Sequence, residues 1–115
     1  MNIEELHEYS ISLEAVEEKF PFAKIKGGES VLVLYVCNHM FAMVDLNDSD
    51  VVNVKCQPER IADLREHCEW AVKASHMNNK YWLGMHIDTA PDDIAKELIY
   101  NSYSIVKEKY TKKKR

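Results

Sequence analysis

Val31-Leu32-Val33-Leu34-Tyr35-Val36, Met40-Phe41-Ala42-Met43-Val44-Asp45 and Val51-Val52-Asn53-Val54-Lys55-Cys56 are three apolar runs separated by short polar breaks. Each is too short for an ordinary helix, and the first and third are dominated by β-branched side chains, so all three read as strands. Asn38-His39 offers a tight hairpin connection between the first two, and Asn47 to Asp50 a second turn. The expectation is an antiparallel meander.

Upstream, Asn2 and Glu5 stand in capping-box positions, and Ile3, Leu6, Leu13, Val16 and Phe20 recur at helical spacing. This predicts an acidic amphipathic helix with a break near Ser10 to Ser12, ended by Pro21. Gly27-Gly28 is a turn into the first strand. Downstream, Pro58 suits the first position of a helix whose inner stripe is Ile61, Leu64 and Cys68. Residues 71–81 have mixed character and read as a loop, and Tyr81 to Ile87 as a strand. A last helix starts at Thr89 to Pro91 and buries Ile94, Leu98, Ile99, Ile105 and Val106. The order α-β-β-β-α-β-α lacks regular alternation, which predicts an α+β fold, a small antiparallel sheet with flanking helices, as one domain over residues 1–115.

A chain of 115 residues with 46% hydrophobic and 30% charged residues can build one real core without disulfides or metal. Its longest apolar run, Val31 to Cys37, is far short of a membrane span, and the acidic start is unlike a secretory signal. Cys37, Cys56 and Cys68 show no CxxC spacing and read as reduced thiols, which predicts a cytoplasmic protein without membrane attachment. The net charge of −4 is unevenly spread. Residues 1–22 hold six glutamates against one lysine, whereas residues 91–115 hold seven Lys and Arg against four acids. A basic end can attract phosphate even on an acidic chain.

Two stretches carry a resemblance. Phe20-Pro21-Phe22 follows the acidic helix, and His76-Met77-Asn78-Asn79-Lys80-Tyr81-Trp82 lies downstream of Val54-Lys55-Cys56-Gln57-Pro58-Glu59-Arg60. In this order and spacing the chain resembles the MmcQ/YjbR family of small bacterial proteins, nearly end to end. The resemblance implies a compact α+β fold related to secretion-chaperone-like architectures, and a DNA-binding role with a double-wing arrangement of β-hairpins. Gln57 in place of an acidic residue and Glu14 in place of a proline depart from the pattern without threatening the fold.

The segment from Lys73 to Trp82 gathers cations, amides and aromatics within ten residues, the three side-chain types that nucleic-acid contact uses. With Lys55, it yields the candidate nucleic-acid contacts Lys55, Lys73, His76, Asn78, Asn79, Lys80 and Trp82. The competing account gives Trp82 to the core and the polar residues to pinning a loop. Lysines without arginine read base edges poorly, so any preference among sequences is expected to be weak. The basic tail, Lys107, Lys109 and Lys112 to Arg115, reads first as a solvated helix end.

No catalytic residue, cofactor or metal is expected. His7-Glu8 starts like a zincin helix, but Ile11 stands where the second histidine belongs. Cys37 and Cys68 read as small buried hydrophobes. Cys56, beside Lys55 and before a helix, is the best placed of the three for a lowered pKa. The expected partner is double-stranded DNA, bound by a monomer. The alternative is a protein or peptide partner met by the acidic helix or by an apolar patch beside the sheet.

Overall fold

The computed structural model describes residues 1–75 and 77–112. The capping box opens α1, Ile3–Ile11, with the Asn2 side chain accepting from the Glu5 amide and the Glu5 carboxylate accepting from the Asn2 amide. The helix stops nine residues before Phe20, at the expected break. Ser12 caps its end, and Ala15 takes a positive φ of 63° that turns the chain. The Tyr103 hydroxyl anchors this turn by donating to the Glu14 carbonyl at 2.6 Å. Leu13 and Val16 still pack against the core, but from a turn, so their helical spacing was coincidental.

Glu17–Lys19 then forms β1, followed by β2 (Val31–Val36), β3 (His39–Asp45), β4 (Asp48–Lys55), α2 (Pro58–His67), β5 (Ala71–Lys73), β6 (Trp82–His86) and α3 (Asp92–Lys112). The protein is thus α+β, with three helices and a six-stranded sheet in the order β1-β2-β3-β4-β6-β5, antiparallel at every pairing. The anticipated order of elements is present in full. The additions, β1 and β5, are three-residue strands at the two edges of the sheet, too short to leave a periodic pattern in the sequence.

The first hairpin turn of the meander is shifted by one residue from the expected place, and the second is both shifted and shorter. The β2–β3 turn is Cys37-Asn38, each at positive φ (53° and 66°), the twist that suits a two-residue hairpin. The β3–β4 turn is Leu46-Asn47, with Asp45 opposite Asp48, so Asp48 opens the next strand.

Register decides which side of the sheet holds the core. Leu32, Val44, Val52 and Met85 align across four strands, as do Leu34, Ala42, Val54 and Leu83. All eight belong to the buried cluster, and α3 lies on this face with Leu98, Ile99, Tyr103 and Val106. Ile94 and Ile105 of α3 are only half-buried. Ser102 is the polar exception in the buried stripe. Its hydroxyl donates to the Phe41 carbonyl at 2.5 Å and accepts from the Lys55 amide at 2.8 Å, which ties β3 to β4. Ile61 of α2 joins the core, whereas Cys68 caps that helix and is half-exposed, as is Cys37 in its turn. Neither is the buried hydrophobe anticipated.

The intervening positions, Val33, Met43, Asn53, Gly84 and Val72, point to the opposite, helix-free face. The segment between β1 and β2, turned at Gly27 with φ 87°, contributes Phe22 and Ile25 to the wall of a cavity on this face. No helix among the described residues is long and apolar enough to cross a membrane.

Candidate nucleic-acid interface

Antiparallel pairing collects most of the candidate residues at one end of the sheet. β4 and β5 finish there at Lys55 and Lys73, and β6 begins there at Trp82. Lys55 lies opposite Trp82 in the register and Lys73 opposite Leu83. The β2–β3 turn reaches the same end, because the His39 end of β3 runs beside the Lys55 end of β4. Two hairpin connections, Cys37-Asn38 and residues 74–81, therefore flank the end of β4. The C-terminal turns of α3 arrive there as well, with Tyr110 stacked on His39 at 3.4 Å between ring centres.

The structure divides the candidates by task. Asn79 accepts from the Ala74 amide at 2.7 Å, and Asn78 accepts from the Lys80 amide at 3.0 Å. The Asn78 carbonyl also receives the amides of Tyr81 and Trp82, both at 3.0 Å. These side chains build the loop, as small polar residues in irregular segments do. Trp82 is only 6% exposed and cannot offer its face to a base, a correction to its expected stacking role. Its strand lies between β4 and β5 and is buried on both faces. Its neighbour Tyr81 is 45% exposed and is the ring that remains accessible. The unbroken apolar run of β6 gave no alternation to tell the two aromatics apart. His76 lies outside the described residues, as do Lys113, Lys114 and Arg115.

The cations fare differently. Lys73 and Lys80 are exposed and Lys55 half-buried, with its ammonium 5.7 Å from the centre of the Trp82 ring; Lys80 stands 5.5 Å from that of Tyr81. Among the described residues none of these three lysines forms an ion pair. Arg60, by contrast, is clamped by both oxygens of Glu97, and Lys107 approaches Glu14 at 3.7 Å while donating to the Tyr103 hydroxyl. The ammonium of Lys107 is held above its usual range mainly by that hydroxyl.

Cys56, the thiol best placed by sequence for a lowered pKa, is shifted the other way. Burial pushes its thiol up, and the nearby Arg60 charge opposes this only as a lesser influence. His7 bonds Glu18 at 2.5 Å in place of a second histidine. Among the described residues no group of three or more His, Cys, Asp or Glu is arranged to hold a metal ion.

The family model described as YjbR matches residues 11–105. The fold is shared with the crystal structure of Deinococcus radiodurans protein DR2400, a DUF419 domain. That protein is 28% identical with a TM-score of 0.83, over 94% of this chain and 80% of that one. A protein from Pseudomonas syringae, 19% identical, superposes with a TM-score of 0.76 over 92% of this chain and 99% of its own, a likeness of fold alone. No curated protein matches.

Proposed function

The chain belongs to the YjbR family, and from that premise we propose that it binds double-stranded DNA through the sheet end that carries Lys55, Lys73, Lys80 and Tyr81. The observation behind this reading is that three cations without an ion pair converge on one end of the sheet. Lys55, Lys73 and Lys80 have no carboxylate partner among the described residues, whereas Arg60 and Lys107 do. Unpaired ammonium groups beside two hairpin connections are available to phosphate, and releasing condensed counterions would drive the association.

The role is binding and not catalysis, and the preference among sequences is weak. Lysine holds phosphate as a point charge and lacks the planar fork that reads guanine. Asn78 and Asn79 shape the loop that presents the cations and are positioning residues in this account, as Trp82 is for Lys55. Three free thiols suit a reducing compartment, and the bacterial cytoplasm is the proposed setting, with the protein acting as a monomer.

Fluorescence anisotropy of a labelled duplex, titrated from low to physiological salt, tests the proposal. Changing Lys55, Lys73 and Lys80 together to alanine should lower the slope of log affinity against log salt by about two to three units, near 0.9 for each lost phosphate contact. An unchanged slope would remove these residues from the interface. A flat titration even at low salt would make a protein partner the working reading, which the exposure of Phe20 and Ile25 beside the sheet favours.

A further inference from the structure

The helix-free face of the sheet holds a cavity of about 680 Å³, within the size range that accommodates small organic ligands. Phe22 and Ile25 form one wall, and Val31, Met40 and Met43 continue it along β2 and β3. Lys26, Asp45 and Asp48 also line it. Asp45 already accepts from the Ser30 hydroxyl and the Asn47 amide, which hold its carboxyl below the usual carboxylate range. One lysine set against two carboxylates disfavours an anion, and the burial of Asn53 makes a cation at its side costly.

Asn53 is among the residues lining this cavity, 5% exposed, opposite Met43 on one neighbouring strand and Gly84 on the other. Its Nδ2 donates to the Ser75 carbonyl at 3.3 Å. A carbonyl can only accept, so this bond sets the orientation of the amide and turns Oδ1 away from Ser75. Oδ1 is buried and has no hydrogen-bond partner. Val52 and Val54 show the residue type that the same strand uses in the core. A lone buried acceptor carries a desolvation penalty that only a donor can relieve.

We propose that this cavity binds a small, neutral aromatic molecule whose ring N–H or O–H donates to Asn53 Oδ1. Thioethers pack favourably against aromatic rings, and Met40 and Met43 place two of them in the wall, with the Phe22 ring alongside. Oδ1 is buried, so a donor reaches it only once a lining side chain shifts, and Met43, the register neighbour of Asn53, has the torsional freedom for that. The site is independent of the DNA reading and stands or falls without it.

Indole and 1-methylindole are the probes, because they match in ring shape and only the first carries an N–H. Titrated into the full chain and followed by ¹H–¹⁵N NMR, indole should shift the amides of Val31, Met43 and Asn53. 1-Methylindole should bind about five- to tenfold more weakly, the ratio that one neutral hydrogen bond confers. In Asn53→Val the two probes should become equal. The idea fails if indole produces no localised shifts up to its solubility limit, or if both probes bind the unmodified chain equally. Should Asn53→Val not fold, the two-probe comparison on the unmodified chain decides alone.

Discussion

Two buried polar side chains, one against each face of the sheet, are treated in opposite ways. Ser102, on the helix-covered face, gives its proton to Phe41 and receives one from the Lys55 amide, and so closes a gap between β3 and β4. Asn53, on the helix-free face, satisfies its amide nitrogen with Ser75 and leaves its oxygen without a partner. Ser102 is bonded on both sides and so serves the structure, whereas the buried hydroxyl of Ser10 in α1, unpartnered among the described residues, does not line the cavity. A polar group that is half-bonded beside a cavity costs stability in the empty protein, and that makes it informative about what the face is for. The difference also separates a core packed by α3 from a concave surface formed by strands and the segment between β1 and β2.

The contrast is open to direct attack by mutation. Ser102→Ala should be the most damaging change. It orphans a buried carbonyl and a buried amide together, at a cost of about 2–4 kcal/mol in urea or thermal unfolding. A loss below about 1 kcal/mol would mean that the clamp between β3 and β4 is dispensable.

Gly84→Ala should come next. A methyl there would meet the Lys73 carbonyl at 2.8 Å and the Val51 and Val72 side chains at 3.1 Å. Backbone on the edge strand must then shift, which should cost about 1–3 kcal/mol by the same measurement. A neutral result would show the helix-free face to be looser than its register implies.

The smallest effect is expected at Asn53→Val. Losing a 3.3 Å hydrogen bond is offset by removal of the unpaired acceptor, so stability should stay within about 1 kcal/mol, with a gain as the favoured direction. A loss comparable with that of Ser102→Ala would erase the distinction between the faces and return Asn53 to a structural role.

Much of the fold was legible because periodicity and strand length are local. The three runs from Val31 to Cys56 announced the meander, and Pro58 and Asn2 announced the starts of two helices. The first helix was overextended because Leu13 and Val16 keep helical spacing while packing from a turn that Tyr103, far along the chain, holds in place. The candidate interface was legible as composition. What each residue does there was not, since Asn78, Asn79 and Trp82 resemble contact residues in sequence and serve loop and core in the fold.

The sequence by itself determined the fold class, the central antiparallel strands and the segregation of acidic and basic ends, because propensity, alternation and charge act over a few residues. Only tertiary structure decided the rest. Strand order brings Lys55, Lys73 and Lys80 to one end of the sheet, and α3 covers one face while leaving Asn53 beside a cavity on the other. These outcomes depend on which distant segments pack together, and no local pattern encodes whether a given lysine will find a carboxylate or a given amide a partner.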